Sequence, residues 1–294
     1  MAVLLTGANG FFGNFLKLAL PEQGLRSLGL SDCYYNVDLS SAVPEFNEPF
    51  NKVVHAAGLA HIIPKSKQSV QRFFDVNVTG TSNLLKGLEK LPQLPEIFVF
   101  ISTIAVYGVD SGENIDENVP LKGNSPYAQS KAEAEAEVEW WGKKNNVRVL
   151  ILRLPLIVGA NPPGNLGAMI RSIKRGYYFR IGDGNARRSM VLAEDVASLI
   201  LKCNTCSGIY NLTDGIHPTI RELDEAIALK LGAKIKALPQ PIVQLATRAG
   251  DIIPLIPINS VKLEKLTSTL TFSDVKARKE LGWNPRGVID QLEI

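Results

Sequence analysis

The sequence predicts an α/β protein with a doubly wound parallel sheet and a smaller, mixed C-terminal lobe. Two observations predict this class: short apolar runs alternate with helix-forming segments along the 294-residue chain, and a glycine-rich turn follows the first run. Most of the runs are continuously apolar, which is typical of strands buried on both faces of a parallel sheet. Connections between parallel strands are right-handed, which favours helices on both faces of the sheet.

The elements of the predicted sheet lie in the first half of the chain. Apolar runs predict strands at 3–5, 27–30, 35–37, 53–57, 97–101 and 149–152, and helices are predicted at 12–20, 70–90 and 127–144. The last helix has a start signal in Ser125-Pro126 and is rich in Ala, Glu and Gln. Beyond the loop NPPGN at 161–165, the pattern changes to helices at 166–175, 193–202 and 219–231 and short strands at 189–192 and 208–212.

Composition and charge exclude several function classes. The net charge is +3, and basic residues cluster only in pairs, so no nucleic acid partner is expected. No uncharged apolar run reaches about 18 residues, so no transmembrane helix is predicted. The opening MAVLLTG has no charged leader, and we expect no signal peptide and a cytoplasmic location.

The three cysteines are too few for a disulfide framework in a chain of this length. Cys203 and Cys206 have C-x-x-C spacing, but no second pair and no nearby His accompanies them. We therefore expect this segment to be a loop before a strand, in a reducing compartment, and we expect no metal site.

The motif TGANGFFG at 6–13 places three glycines between the first strand and the first helix. A helix N-terminus offers unpaired N–H groups to a phosphate if no side chain blocks the approach. Gly7 would allow the tight turn, Gly10 the close approach of a pyrophosphate, and Gly13 close packing of the helix on the strand. The motif therefore predicts a dinucleotide site in a Rossmann-like domain.

An acidic residue is expected at the end of the second strand, where it would bind the ribose hydroxyls of NAD. Ser31 takes this place and Asp32 follows it. No basic residue adjoins them to meet a 2′-phosphate, so NAD is predicted and NADP is not excluded.

The segment SPYAQSK at 125–131 carries the predicted chemistry. Tyr127 and Lys131 are four residues apart on a helix and share one face. An ammonium beside a phenol favours the phenolate, so we expect Lys131 to lower the pKa of Tyr127 towards neutrality. Such a phenol is a suitable acid or base for a ketone or alcohol. Thr103, or alternatively Ser102, would supply a hydroxyl to the substrate oxygen.

Nearly the whole chain resembles the extended short-chain dehydrogenase/reductases, a group that includes nucleotide-sugar epimerases and dehydratases. The resemblance lies in motifs that occur in the order seen in that family. They are TGANGFFG (6–13), VVHAAGLAH (53–61), NVTGTSNLL (77–85), FISTIAVYG (100–108), SPYAQSK (125–131), RLPLIVG (153–159), RRSMVLAEDVA (187–197), and the ending FSD (272–274) with LGWNP (281–285).

The resemblance implies Thr103 as catalytic hydroxyl, Tyr127 as acid/base and Lys131 as its partner. It implies residues 1–160 as the dinucleotide-binding domain and 161–294 as a substrate-binding lobe interleaved with its end. With the motif residues above, the predicted cofactor set is Gly7, Asn9, Gly10, Phe11, Phe12, Gly13, Ser31, Asp32, Asp38, Leu39, Ala56, Ala57, Gly58, Asn77, Ile101, Tyr127, Lys131, Pro155, Leu156 and Ile157.

Substrate binding is expected at Thr103, at Asn165 after the NPPG loop, and at Arg188, whose guanidinium can bind a phosphate in a bidentate manner. The substrate implied is a nucleotide-sugar, with UDP-hexoses or UDP-hexosamines of surface polysaccharide synthesis favoured by segments 53–61 and 187–191. Relatives commonly form homodimers through the helices predicted at 70–90 and 127–144.

The residues after Thr103 reduce the number of reactions that the family resemblance allows. Dehydratases of the family carry Asp-Glu there to move protons, whereas this chain has Ile104 and Ala105, so 4,6-dehydration is not expected. A 4-epimerase and a 4-ketoreductase remain, since both need only Thr, Tyr, Lys and the nicotinamide. Two other classes stay open: a dinucleotide-binding redox sensor or scaffold without turnover, and a membrane-proximal enzyme on a lipid-linked sugar, suggested by the apolar stretch 238–263.

Overall fold

The computed structural model describes residues 2–20, 23–239, 241, 243, 263–264 and 267–294. The strands are β1 Val3–Thr6, β2 Leu25–Gly29, β3 Tyr35–Asn36, β4 Lys52–His55, β5 Ile97–Thr103, β6 Gly112–Ile115, β7 Arg148–Leu154, β8 Leu156–Val158, β9 Phe179–Ile181, β10 Met190–Leu192, β11 Gly208–Asn211, β12 Lys236–Leu238 and β13 Leu270–Phe272. The helices are α1 Phe11–Ala19, α2 Lys67–Phe74, α3 Gly80–Glu89, α4 Pro126–Asn145, α5 Gly164–Lys174, α6 Ala193–Lys202, α7 Ile220–Leu231 and α8 Val275–Leu281.

A seven-stranded parallel sheet is the centre of the fold. Its strand order is β11-β7-β5-β4-β1-β2-β3, with every neighbouring pair parallel. β5 and β7 read IFVFIST and RVLILRL, and most of their side chains are buried on both faces. The prediction of a doubly wound parallel sheet is therefore confirmed, and the six strands predicted for its first half are present within a few residues.

Two hydrophobic clusters cover the two faces of the sheet. On one face α1 and α6 contribute Phe12, Leu16 and Val196 to a cluster beneath β1 and β7. On the other face α3 and α4 contribute Leu88 and Trp141, which pack with β5 residues in the second cluster. Burial of this apolar surface is the main stabilising contribution to the sheet and to the helices packed on it.

A smaller unit follows the sheet in the chain. α5 and α7 pack together through a third cluster that includes Ile170, Ile173 and Ile227. Paired short strands surround it, with β8 on β10, β9 on β12 and β6 on β13. The division of the chain at residue 160 stays a prediction, and two later elements belong to the large sheet: α6 packs on α1, and β11 pairs with β7.

Three expectations about elements need correction. The strand expected at 208–212 in the smaller lobe is β11, an edge strand of the central sheet, because Tyr210 packs into its first cluster. The helix expected at 70–90 is interrupted by a π-helical turn, Asp75–Thr79, between α2 and α3. Cys203 and Cys206 lie in the loop expected before β11, but their sulfur atoms form a disulfide that was not expected. Their Cα atoms are 5.4 Å apart, a separation that a disulfide can span.

The part of the chain that the structure describes contains no helix long and apolar enough to cross a membrane. Most of the apolar stretch 238–263, which suggested a membrane contact, lies outside the described residues.

A buried amine joins β4 to α6. Lys52 is 5% exposed, and its Nζ donates to the carbonyl oxygens of Ile200 at 2.7 Å and Leu201 at 3.3 Å. These carbonyls belong to the last turn of α6, where helix carbonyls lack helical partners and where a cation is favourable.

We predict that Lys52→Met lowers the free energy of unfolding by about 1–3 kcal/mol, because two buried carbonyls lose their donor. Urea unfolding followed by circular dichroism measures this. The matched variant Lys174→Met, in the exposed last turn of α5, should change the free energy by no more than about 0.5 kcal/mol. Equal losses in the two variants would contradict the role assigned to Lys52.

Candidate active site

The glycine loop after β1 forms a cradle at the carboxyl edge of the sheet. Gly7 has a φ of +72°, and a Cβ there would lie 2.6 Å from the amide nitrogen of Ala57. A Cβ at Gly13 would overlap the carbonyl oxygen of Gly7. Gly10 is the exposed N-cap of α1 and supplies no side-chain cap, so the first N–H groups of the helix are open to a ligand. These features fit the pyrophosphate of a dinucleotide.

The predicted ribose residues lie at the exposed end of β2. Asn9 Nδ2 donates to the Ser31 carbonyl at 3.0 Å, and Lys17 Nζ donates to Asn9 Oδ1 at 3.4 Å. Ser31 Oγ donates to Asp32 Oδ2 at 3.2 Å, and both residues are exposed. The structure therefore brings Asn9, Ser31 and Asp32 together beside the glycine loop, where the prediction placed the ribose.

Three predicted cofactor residues have side chains that are buried or already hydrogen-bonded within the protein. Phe12 and Leu39 are each 8% exposed and pack in the two main clusters. Asp38 is exposed, but its Oδ1 accepts from the backbone N–H of Ser40 at 2.9 Å and from its hydroxyl at 2.6 Å. At Phe12 and Leu39 only the backbone is available to a cofactor.

A buried polar chain fixes the segment after β4. Ala57 N–H donates to Thr6 Oγ1 at 3.1 Å, and the Thr6 hydroxyl donates to His55 Nδ1 at 2.6 Å. His55 Nε2 then donates to Thr81 Oγ1 at 3.0 Å, whose hydroxyl donates to the Asn77 carbonyl at 2.6 Å. This order of donors and acceptors, which is assigned from the hydrogen-bond network, requires that the His55 imidazole is neutral. Burial and the nearby charge of Lys131 lower the pKa of His55 to about 3.

Asn77 connects the same segment to α4. Its Oδ1 accepts from Leu59 N–H at 2.7 Å, and its Nδ2 donates to the Leu59 carbonyl at 3.2 Å and to Ser130 Oγ at 2.9 Å. Asn77 is 2% exposed and lies in the π-helical turn. It therefore positions the backbone of Leu59, directly after Ala56, Ala57 and Gly58, and both N–H groups of its side chain are used by the protein.

The predicted catalytic residues meet where β5 ends beside the start of α4. Thr103 is the last residue of β5, and α4 begins after the N-cap Ser125, whose Oγ accepts from Ala128 N–H at 3.2 Å. Tyr127 is half-buried and lies near the Thr103 side chain, which acts on its pKa. Lys131 Nζ donates to the Ile101 carbonyl at 2.6 Å and lies 3.9 Å from the centre of the Phe100 ring.

The pKa values of Tyr127 and Lys131 differ from the expectation. Burial raises the pKa of Tyr127, and the nearby Thr103 side chain opposes this shift. Burial also lowers the pKa of Lys131 to about 7, while the charge of Glu135 opposes that shift. The expectation that Lys131 lowers the pKa of Tyr127 is wrong for this structure, because the amine binds the Ile101 carbonyl and both groups are desolvated.

The hydroxyl of Ser102, the alternative catalytic group, is hydrogen-bonded within the protein. It is 4% exposed, and its hydroxyl donates a short hydrogen bond to Glu135 Oε1. Glu135 also pairs with Arg153, a contact between distant parts of the chain that the sequence analysis missed. The only local signal was the spacing of Glu135, four residues after Lys131.

The remaining predicted residues lie around the end of β7 and in the later segments. Pro155 is buried directly after β7, and Leu156 and Ile157 are half-buried in β8. Asn165 is exposed in the first turn of α5. Arg188 is half-buried, and its Nη1 donates to the carbonyl oxygens of Arg187, at 3.0 Å, and of Ser268.

A model of the NAD dependent epimerase/dehydratase family matches residues 3–212 of the chain. The chain belongs to this family. It is an NAD(P)-dependent enzyme of the extended short-chain dehydrogenase/reductase type, with an epimerase or reductase chemistry. The glycine cradle and the open start of α1 agree with this family's cofactor.

Curated members of the family are similar over most of their length. The N-acetyl-α-D-glucosaminyl-diphospho-ditrans,octacis-undecaprenol 4-epimerase of Escherichia coli O157:H7 is 29% identical, over 93% of this chain and 88% of its own. The UDP-glucose 4-epimerase of Vibrio cholerae is 26% identical, over 97% of this chain and 90% of its own. The structure of RMD from Pseudomonas aeruginosa complexed with NADPH shares the fold, with a TM-score of 0.75, 24% identity and coverage of 99% and 96%.

We predict that His55 makes the stability of the protein depend on pH. Its pKa of about 3 in the folded state lies below the 6.5 of an unfolded histidine, so its contribution is complete above pH 6.5. It is lost as the pH falls from 6.5 towards 3, by about 1.4 kcal/mol per pH unit. His55→Gln, which can keep both hydrogen bonds, should remove this slope in urea unfolding between pH 6 and 4. An unchanged slope would contradict a neutral, buried imidazole.

Proposed function

We propose that this protein is an NAD-dependent 4-epimerase of a hexose or N-acetylhexosamine that is joined to a diphosphate, with a UDP-sugar as the expected substrate. The observation that carries the proposal is the meeting of Thr103, Tyr127 and Lys131 at the carboxyl end of β5. Ile104 and Ala105, which follow Thr103 and open the 3-10 helix Ile104–Tyr107, have no proton-transferring side chain. This supports a reaction at one carbon rather than a dehydration.

The protein residues would act on the proton and the oxygen at C4. Tyr127 Oη would remove the proton of the C4 hydroxyl and later return it, while the Thr103 hydroxyl would hydrogen-bond the same oxygen. When bound, NAD supplies the hydride chemistry at that carbon. Because the pKa of Tyr127 is raised, the phenol is protonated at neutral pH and suits the return step. The removal step then needs a positive charge near the phenol. Lys131 would provide it when it is protonated and released from the Ile101 carbonyl, which it binds in this structure.

Both curated relatives described above act at C4 of a diphosphate-linked sugar, as their names state. They differ in the carrier, which is a polyprenol in one and a nucleotide in the other. The shared part, a hexose on a diphosphate, is what we propose for this chain. A role in surface polysaccharide synthesis, a cytoplasmic location, a homodimer and phosphate binding by Arg188 and Asn165 remain part of the proposal.

We predict that Tyr127→Phe lowers kcat for epimerisation of a UDP-hexose or UDP-N-acetylhexosamine by about 10²–10⁴-fold, because the acid/base group is lost. Chromatography of the two C4 epimers measures this, with cofactor content and circular dichroism to show an intact fold. Tyr177→Phe, at an exposed tyrosine outside the site, should leave kcat unchanged. Undiminished turnover by Tyr127→Phe would contradict the proposal.

The reaction type is tested with substrate that carries deuterium at C4. A 4-epimerase should return the label to the product, should exchange no hydrogen with D₂O, and should retain NAD that mass spectrometry detects in the purified protein. A 4-ketoreductase would instead consume NAD(P)H and yield no epimer. A polyprenyl diphosphate sugar assayed in parallel distinguishes the lipid carrier, and cofactor binding without turnover of any sugar would indicate a sensor or scaffold.

A further inference from the structure

Two consecutive residues at the end of β5 hydrogen-bond residues on one face of α4, and a third lies near the same face. The residues on α4 are spaced four apart, so they project towards the sheet from successive turns. The Ile101 carbonyl accepts from Lys131, and the Ser102 hydroxyl donates to Glu135. Thr103, the predicted catalytic hydroxyl, is near enough to Tyr127 to act on its pKa.

Glu135 is the only carboxylate of the three α4 residues and is 2% exposed. Its Oε1 accepts from Ser102 Oγ and from Arg153 Nε at 3.2 Å, and its Oε2 accepts from Arg153 Nε at 3.2 Å and Nη2 at 2.7 Å. Arg153 is 3% exposed and lies in β7, two residues before Pro155. One carboxylate therefore joins α4, β5 and β7 where the site is built.

The network continues beyond Arg153 to the edge of the sheet. Arg153 Nη1 donates to Tyr107 Oη at 3.0 Å, and that hydroxyl donates to Asn211 Oδ1 at 2.8 Å in β11. Each of the side chains in this hydrogen-bond network has a partner for its polar groups, which a buried ion pair requires.

We propose that Glu135 is a positioning residue of the reaction: its carboxylate holds the end of β5 and Arg153 against α4, one turn after Lys131. This rests on the catalytic roles proposed above for Thr103, Tyr127 and Lys131. The residue does not touch substrate in this role and acts through the side chains that it holds.

The charges around Lys131 add an electrostatic part to this role. Glu135 acts on it from the next turn of α4, neutral His55 lies near it in β4, and Arg153 stands behind Glu135 in β7. Glu135 is the one group among them that raises the pKa of Lys131, against the burial that lowers it to about 7. Without the carboxylate, less of the amine would be protonated at neutral pH.

The test compares Glu135→Gln with Glu133→Gln, an exposed carboxylate on the same helix. We expect Glu135→Gln to lower kcat by about 10²-fold with a smaller change in KM, because the site loses its geometry. We also expect the pKa of Lys131 to fall, by about one unit or more. Carbon-13 NMR of the lysine ε-carbons measures this pKa without turnover, with Lys131→Met to assign the resonance. Glu133→Gln should change neither quantity.

Because Glu135→Gln leaves Arg153 buried without its partner and can fail to fold, a second variant keeps the test decisive. The double variant Glu135→Leu with Arg153→Met replaces the ion pair by apolar groups, a change that is often neutral or stabilising. We expect it to fold with kcat lowered about 10²-fold. A folded double variant with kcat within threefold of the original, or Glu135→Gln with an unchanged pKa of Lys131, would overturn the proposal.

The two proposals fail in different ways. If Tyr127→Phe retains turnover, the catalytic assignment itself is wrong. If Tyr127→Phe is inactive and the Glu135 variants are active, the catalytic assignment stands and only the positioning role is lost.

Discussion

The contact between the end of β5 and α4 is the constraint on which the site depends. A strand presents successive residues to opposite faces, whereas a helix presents every fourth residue to one face. Here the carbonyl of Ile101 and the hydroxyl of Ser102 hydrogen-bond two successive turns of α4, and Thr103 lies near Tyr127 on the turn before them. Twisting β5 or shifting α4 by one residue would separate all three pairs, so the geometry of the site is tied to the register between strand and helix.

Burial governs the chemistry of that contact as much as distance does. Desolvation raises the pKa of Tyr127 and lowers that of Lys131, so each group is shifted towards its neutral form. The charged forms needed for proton transfer are then available only where other charges compensate. In this chain a carboxylate lies next to the lysine, and the positively charged nicotinamide of oxidised NAD would add a second compensating charge.

The sequence predicted the scaffold well because its signals are local. Apolar runs mark the strands of the central sheet, and the glycines of the first loop mark the start of α1. The assignment of the strand at 208–212 to the smaller lobe was wrong, because strand order depends on contacts between distant segments. The pairing of Glu135 with Arg153 and the π-helical turn at Asp75–Thr79 were missed because neither produces a periodic pattern. The spacing predicted that Tyr127 and Lys131 share one face of a helix, but it did not predict the pKa of the tyrosine, since burial cannot be read from spacing.

The π-helical turn also limits how this region can change in length. A π turn contains one residue more than an α turn, so it resembles an insertion into an otherwise regular helix. Deleting one residue between 75 and 79 would convert this wide turn into a regular α turn, with α3 keeping its rotation relative to α2. The deletion would change the backbone around Asn77, whose side chain binds Leu59 and Ser130 from this turn. The wide turn is therefore tied to the segment after β4, and this stretch should tolerate substitution at positions other than Asn77 more readily than deletion.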